Sequence, residues 1–262
     1  MYELYQEQRN SLLPLSEYTK VVSLEEQQKE IQLLKETIHF ERFFFVLNLH
    51  DLKLEEVHGV EKWLGYSDKD FTILKFLQII HPSHLEAHYL TASVIIGGLM
   101  RGDWQVEFMK HRYITSIALR HNKGHYLLFK RLASVFQYDD QHRLLEYVNE
   151  FTFVNEYKEE PYVIQAHNDD GSKLIWFQDV LERTRKAFEN KNFFTFQELR
   201  ILRKFAYIPK ISAAEIAHAF KIKESTVITH KKRILAKAEQ LFLKEFQTVK
   251  QLADYLKEQG LI

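Results

Sequence analysis

The chain has 262 residues, of which 45% are hydrophobic and 14% aromatic, a composition that fits packed globular domains and excludes a disordered protein. It has no cysteine, which excludes disulfides, thiolate metal sites and cysteine catalysis. The net charge is zero, but residues 193–262 carry 13 Lys and Arg against 7 Asp and Glu, so an acidic body precedes a basic tail, as in many nucleic-acid-binding proteins.

The sequence predicts a cytoplasmic protein with no membrane partner. No basic stretch followed by an apolar run opens the chain, so we expect no signal peptide. No apolar stretch approaches the roughly 20 residues of a transmembrane helix. Phosphate-binding glycine loops and the common catalytic strings G-x-S-x-G and H-E-x-x-H do not occur, and the adjacent acidic pairs are typical of solvated surfaces. We therefore do not expect an enzyme.

Residues 1–40 are predicted to be a helical segment. Ser23 and Glu26 have the spacing of a capping box, and Ile31, Leu34 and Ile38 then recur at helical spacing. Such a stripe fits a helix that packs on its own domain. It also fits a dimerisation helix, and the sequence leaves both interpretations open.

Residues 41–157 are predicted to form one α/β domain with an antiparallel sheet. An apolar run at residues 43–49 is typical of a strand, and residues 60–99 mix short helical patterns with loops. Three long strand-like runs follow at residues 113–120, 125–138 and 144–157, separated by turns. Leu145, Tyr147, Phe151 and Phe153 alternate with polar residues, which predicts a meander with one apolar face.

Residues 158–192 are predicted to connect the two halves of the chain. The cluster Asn168-Asp169-Asp170-Gly171 is typical of a break between elements. Residues 172–192 are charged with scattered apolar positions, which predicts a linking helix.

Two strings in the central domain resemble PAS sensor domains. One is Trp63-Leu64-Gly65-Tyr66-Ser67 followed by Asp70-Phe71, and the other is Ile80-His81-Pro82 before a helix. The resemblance covers about 115 residues, counted from the strand before these strings to the end of the meander. It implies a domain that binds a small ligand or a partner protein between its sheet and helices.

The identity of a cofactor stays open. The flavin-binding branch of the PAS family uses a reactive cysteine, and this chain has no cysteine. His84 and His88 have the i, i+4 spacing of a metal or haem site, so a haem or metal sensor is an alternative. The simpler interpretation is that these histidines are not ligands, and we expect no metal site.

Residues 193–262 are predicted to form an all-α domain of four helices, at residues 196–207, 213–220, 225–238 and 248–259. Pro209 ends the first helix, Ser212 and Glu215 have capping-box spacing, and residues 221–224 make a short turn. Between Lys221 and Lys237 there are six basic residues and one acidic residue. A short helix, a tight turn and a basic second helix have the geometry that enters a major groove.

This tail resembles the LuxR-type helix-turn-helix over about 45 residues. The matching positions are Thr195, Glu198 and Leu202, then Ser212, Glu215, Ile216 and Ala217, then Thr226-Val227-Ile228-Thr229-His230, Ile234-Leu235 and Lys237. The resemblance implies a transcriptional regulator with an N-terminal signal-receiving domain. It implies a double-stranded DNA partner and a contact set on the third helix: Lys223, Ser225, Thr226, Val227, Ile228, Thr229, His230, Lys231, Lys232, Arg233 and Lys237.

The tail departs from that family at three points. The segment Ile208-Pro209-Lys210 replaces the usual glycine between the first two helices. Lys223 stands where a serine cap is common, so Ser225 becomes an alternative cap that would shift the helix start. Ile228 stands where the family commonly has a polar residue and cannot hydrogen bond to a base. The preferred DNA sequence therefore does not carry over.

We also expect a homodimer, because one recognition helix reads too few base pairs to select a genomic site. Val249, Leu252, Leu256 and Leu261 in the last helix offer a dimer surface, or they complete the core of the tail. The alternative function is a protein-interaction module whose tail does not read DNA.

Overall fold

A computed structural model describes residue 6 and residues 18–38, 41–242 and 244–262. In this part of the chain, helices surround one six-stranded antiparallel sheet. The elements are α1 Leu24–Thr37, β1 Arg42–Asn48, β2 Lys53–His58, α2 Val60–Leu64, a 3-10 turn Asp68–Asp70, α3 Ile73–Ile79, α4 Pro82–Arg101, β3 His111–Arg120, β4 Tyr126–Tyr138, β5 Leu144–Glu156, β6 Ile164–Asn168, α5 Phe177–Asn190, α6 Phe196–Tyr207, α7 Ala213–Phe220, α8 Glu224–Phe242 and α9 Val249–Glu258. Most of the predicted segment before residue 18 lies outside the described residues.

The strands follow the order β2-β1-β5-β4-β3-β6. The three long predicted strands are confirmed as a meander, because β3 pairs with β4 and β4 with β5. Two further strands escape the sequence patterns: β2 pairs with β1, and β6 pairs with β3 inside the stretch predicted to be a connector. The sheet therefore extends to Asn168, beyond residue 157, where we expected the domain to end.

The first face of the sheet is apolar as expected, but the second face also carries a smaller apolar patch that the sequence analysis did not predict. On the first face Phe43, Phe45 and Phe151 belong to the main core. On the second face Phe44 and Val46 are also buried. The reason is that β1 places apolar residues at consecutive positions, and consecutive side chains point to opposite faces of a strand.

Helix α1 covers this second face. It begins at the predicted capping box, in which Ser23 and Glu26 satisfy each other's backbone amides. Ile31 and Leu34 are buried with Val148 and the neighbouring strand residues. The packing interpretation of this helix is therefore confirmed, and the same residues are not free to form a dimer.

Helices α2 to α4 cover the first face. Gly65 ends α2 with φ 72°, and a Cβ there would lie 2.4 Å from the Asn122 side chain, so this position needs glycine. The predicted helix after His81-Pro82 is confirmed as α4. His81 caps it through Nδ1, which accepts the Ser83 N–H at 3.2 Å, and Pro82 occupies the first turn.

Helix α4 contributes to two cores. Ile95, Ile96 and Leu99 belong to the main core on the sheet. Ala87 and Leu90 belong to a second core, which they share with α6 to α9. Because one rigid helix contacts both, the sheet and the C-terminal helices are mechanically connected through α4.

The helix expected within residues 172–192 is present as α5, which occupies only Phe177–Asn190. It packs beside α4, where Trp104 stacks on Trp176 with ring centroids 4.5 Å apart. Trp104 in turn lies against Gly98, since a Cβ there would lie 2.1 Å from its ring. Within the described part of the chain, no helix is long and apolar enough to span a membrane.

Candidate functional site

One buried carboxylate fixes α6 to α8. Thr195 and Glu198 form a capping box at the start of α6, with N–H to Oε2 at 2.8 Å and N–H to Oγ1 at 3.3 Å. Glu198 also accepts a hydrogen bond from Lys237 Nζ at 2.7 Å. Burial raises the pKa of Glu198, but the hydrogen bonds from Lys237 and Thr195 outweigh it and leave the pKa below its usual value. The carboxylate stays ionised and holds α8 against α6.

The turn before α8 is short and geometrically fixed. The predicted capping box of Ser212 and Glu215 starts α7. Lys221 ends it in the left-handed region with φ 54°, and the Ile222 N–H bonds back to the Ala217 carbonyl at 3.0 Å. These bonds satisfy the last carbonyls of α7 and turn the chain directly into α8.

Helix α8 begins at Glu224, one residue before the predicted start. The Thr226 N–H bonds to the Lys223 carbonyl at 3.0 Å, so Lys223 occupies the capping position. Ser225 lies inside the first turn, which makes the alternative in which Ser225 caps the helix wrong. Thr229 Oγ1 donates to the Ser225 carbonyl at 2.9 Å.

The predicted contact residues divide according to the face of α8 on which they lie. Val227 is 0% exposed and packs with Ile234 and Ala238 in the second core. His230, Lys231 and Lys237 are half-buried at the edges of the helix. The remaining residues are exposed: Lys223, Ser225, Thr226, Ile228, Thr229, Lys232 and Arg233.

Two of the predicted contact residues have structural roles instead. Val227 cannot touch a partner because it is enclosed by the core, and it repeats the 3.6-residue apolar period of the helix. The ammonium of Lys237 is held by the buried Glu198 carboxylate. Both residues match the family pattern because they build the helix pair, so we remove them from the candidate interface.

The exposed face of α8 and the turn before it are positively charged. Among the described residues, Lys221, Lys223, Lys232 and Arg233 form no ion pair with a carboxylate. Lys231, in contrast, contacts an aromatic ring, because its Nζ lies 5.5 Å from the centre of the Phe205 ring. Unpaired surface cations keep their full attraction for a polyanion.

Two basic residues outside the predicted contact set lie beside this face. Lys221 lies in the turn itself. Arg200 is exposed on α6, and its guanidinium lies 4.2 Å from the centre of the Phe220 ring, next to the turn. Lys221 belongs to the basic run counted in the sequence but lies before the matched motif, whereas the position of Arg200 depends on how α6 crosses α7.

The alternative haem or metal site at His84 and His88 does not form. Both side chains are buried, His84 at 0% and His88 at 1% exposure. His84 Nδ1 accepts the Ala118 N–H at 3.1 Å, and its Nε2 lies 2.8 Å from the Glu160 carbonyl. Both ring nitrogens of His84 are thus occupied by backbone. The described residues contain no group of three potential ligands arranged for a metal ion.

Burial also decides the protonation of these histidines. It lowers the pKa of His84 to about 4, despite the opposing contact with the Glu160 carbonyl. Burial likewise holds the pKa of His88 well below its usual value, and the Arg131 charge lowers it further. Both imidazoles are neutral at neutral pH and act as structural hydrogen-bonding groups.

A small cavity lies between α4 and the sheet. Its volume is about 40 Å³, and its walls include Ile95 and Leu99 of α4, Tyr113 of β3 and Arg131 of β4. Its position agrees with the expected cavity between the sheet and the helices. Most of the exposed wall is apolar, with a few polar groups that face inward.

No protein-family model and no curated protein matches the chain. Among solved structures, SdiA from Escherichia coli has 16% identity and a TM-score of 0.29, with 98% of each chain covered. The phage VqmA–DPO complex has 9% identity and a TM-score of 0.31, covering 91% of this chain and 92% of that one. The Vibrio cholerae VqmA dimer, described in relation to LuxR-type receptors, has 11% identity and a TM-score of 0.27, covering 92% and 89%. Likeness at these TM-scores carries no conclusion about function.

Proposed function

We propose that this protein is a sequence-specific DNA-binding transcriptional regulator whose tail, residues 193–262, reads duplex DNA. The observation that carries the proposal is the exposed face of α8, where Lys232 and Arg233 lie unpaired beside Ser225, Thr226 and Thr229. The cations neutralise phosphates, and the shorter polar side chains near the helix start reach base edges. Ile228, which is 45% exposed, contacts a thymine methyl.

We further propose that the α/β region is a PAS-like sensor for a small ligand or a partner protein. The sheet and α4 enclose the cavity, and α4 also packs on the tail through Ala87 and Leu90. A hydrogen bond from Tyr255 of α9 to the Ser83 carbonyl reinforces this contact. A signal that shifts α4 therefore shifts the surface on which the tail rests.

A homodimer remains part of the proposal, but not through the surfaces expected from the sequence. Val249, Leu252, Leu256 and Leu261 are each at most 1% exposed, so they complete the core of the tail. The apolar stripe of α1 is likewise buried on the sheet. Two copies are expected because a single recognition helix reads too few base pairs to select one site. Sedimentation of the full chain on a saturated specific site tests it, and one protein per site would exclude it.

The test of DNA binding uses the full chain, because the second core includes Ala87 and Leu90 and a cut at residue 193 would expose it. Binding to mixed-sequence duplexes is measured by fluorescence anisotropy from low to high salt. We expect the slope of log K against log salt to fall by about 0.9 for each phosphate contacted. Selection from a random-sequence pool should then enrich one motif.

The rival function, a protein-interaction module, predicts a different result. No binding at low salt, or an affinity that does not change with salt, would contradict a phosphate-contacting surface and favour the rival. Salt-dependent binding without any enriched motif would retain DNA as the partner and remove sequence reading from the proposal.

A further inference from the structure

Arg131 is a buried cation at the wall of the cavity. It is 7% exposed, and the one hydrogen bond that the described residues give its side chain runs from Nε to Asn149 Oδ1 at 2.8 Å. No carboxylate of the described chain forms an ion pair with it. A guanidinium has five N–H donors and keeps its charge at any physiological pH. Its remaining donors therefore need an acceptor, and an anion answers both the charge and the hydrogen bonds.

Two further polar groups point to the same cavity. Thr91 of α4 and Tyr113 of β3 line it and are 2% and 5% exposed. Neither hydroxyl has a hydrogen-bond partner among the described residues. A folded protein rarely leaves such groups unsatisfied, and clusters of them indicate an atom that the protein alone does not supply.

The rest of the cavity limits the size and the character of the ligand. Ile95 and Leu99 of α4 contribute an apolar wall beside Thr91. The enclosed volume of about 40 Å³ is small, so the cavity takes only a short-chain molecule. Water alone would satisfy hydroxyls, but it would leave the Arg131 charge without a counterion.

We propose that this cavity binds a short-chain carboxylate, whose two oxygens pair with the Arg131 guanidinium and whose alkyl part lies on Ile95 and Leu99. The inference rests on the proposed sensor role of the domain and names the chemistry of its ligand. Carboxylate and guanidinium match in planar, two-bond geometry. Thr91 and Tyr113 donate to the same carboxylate or to water beside it.

The position of Thr91 relates this site to the tail. Thr91 lies on α4 next to Leu90, which packs in the second core with the C-terminal helices. A carboxylate that engages Thr91 therefore acts on the helix that supports the tail. Occupancy of the cavity and the position of the tail are coupled through one rigid element.

The experiment is calorimetric titration of the full chain, without DNA, with butyrate and with butyramide. The two molecules have nearly the same shape, and only butyrate carries a charge. We expect butyrate to bind at least about tenfold more tightly, because a charge-assisted pair with a buried guanidinium is lost with the amide. Equal affinity, or no butyrate binding, would overturn the proposal without any variant.

Three variants locate the binding. Arg131→Met, shown to be folded by circular dichroism, should abolish the preference for butyrate over butyramide. Tyr113→Phe keeps the shape of the wall and should weaken butyrate binding a few-fold while retaining the preference. Arg120→Met, at an exposed position of β3, should leave both affinities unchanged. A preference that survives Arg131→Met or disappears in Arg120→Met would place the anion elsewhere.

The outcome is independent of DNA binding, so the two proposals can fail separately. If the chain binds butyrate but not DNA, the carboxylate site is supported and the proposed DNA-binding function is contradicted. If the chain binds DNA but shows no preference for butyrate, the DNA-binding function is supported and the carboxylate site is contradicted.

Discussion

Cations without carboxylate partners occur in two contrasting places in this molecule. On α8, Lys232 and Arg233 lie in water at the surface. In the α/β region, Arg131 lies inside the core with Asn149 as its hydrogen-bond partner. A cation without a carboxylate partner therefore has a different energetic cost in the two places.

The surrounding dielectric accounts for this difference. A surface cation is solvated and costs the fold almost nothing, while its field extends about 8 Å at physiological salt and attracts a polyanion. A buried cation loses its solvation and depends on a counterion close by. An unpaired charge therefore indicates a partner in both cases. At the surface the partner is a macromolecule attracted over a long range, and in the core it is a small anion in direct contact.

The largest expected effect tests the energetic cost of the buried charge. Arg131→Met should raise the free energy of unfolding by about 3 kcal/mol in anion-free buffer. The substitution replaces an uncompensated buried ion by an apolar side chain of similar volume. The matched change Arg233→Met on α8 should alter stability by less than about 0.5 kcal/mol. Urea unfolding of both variants and the wild type measures the two values.

A loss of stability in Arg131→Met would contradict this prediction, because it would mean that the fold already compensates the Arg131 charge. Adding butyrate provides the internal control. The wild type should gain stability with butyrate, and Arg131→Met should not.

The second prediction compares Arg131 with a buried base that can lose its proton. His84 is buried on α4, and burial lowers its pKa to about 4 from an ordinary value of 6.5. At pH 5 His84 is protonated in the unfolded chain but stays neutral in the folded chain. The contribution of His84 to the free energy of unfolding is therefore fully present above pH 6.5 and is lost as the pH falls toward 4. Between pH 7 and pH 5, His84 should cost the fold about 2 kcal/mol.

Urea unfolding at the two pH values checks this prediction. His84→Gln should lose less stability between pH 7 and pH 5 than the wild type, by about the same 2 kcal/mol. His125→Gln, at an exposed position, should behave like the wild type. Equal pH dependence of wild type and His84→Gln would mean that His84 is not held neutral by burial.

The two regions also differ in how far the sequence predicts them. The limits of α6 and α7 agree with the predicted residues 196–207 and 213–220, because Thr195, Ser212 and Pro209 mark local starts and stops. These signals are short-range and are readable in a single sequence. The exposed face of α8 follows from its helical period for the same reason.

The missing parts of the α/β region depend on distant contacts. Strand β2 is short, with Leu54 and Val57 as its apolar residues, and β6 is shorter still, so neither shows a strand pattern on its own. Arg131 occurs in a strand where a charged residue normally indicates the solvent side. Its burial depends on α4 crossing above it, which local sequence does not encode.

The third prediction addresses the surface cations directly. Changing both Lys232 and Arg233 to Ala should weaken binding to all duplexes by about tenfold at low salt and reduce the salt slope by about 1.8. Changing Lys29 and Lys123, which are exposed in α1 and in the β3–β4 turn, should leave both quantities unchanged. Fluorescence anisotropy over a salt series gives both numbers. An equal loss in the control would reduce the α8 face to one part of a diffuse basic surface.

The smallest expected effect separates charge from backbone strain at one residue. Lys221 combines an exposed cation with a φ of 54°, a conformation that favours glycine. Lys221→Gly and Lys221→Ala remove the same charge, but only the glycine relieves the strain. We expect the glycine variant to be more stable than the alanine variant by about 1 kcal/mol, as judged by thermal unfolding. Their DNA affinities should be equal, and both should fall slightly below the wild type because one phosphate contact is lost. Unequal affinities would show that the conformation of the turn, and not only its charge, positions α8 on DNA.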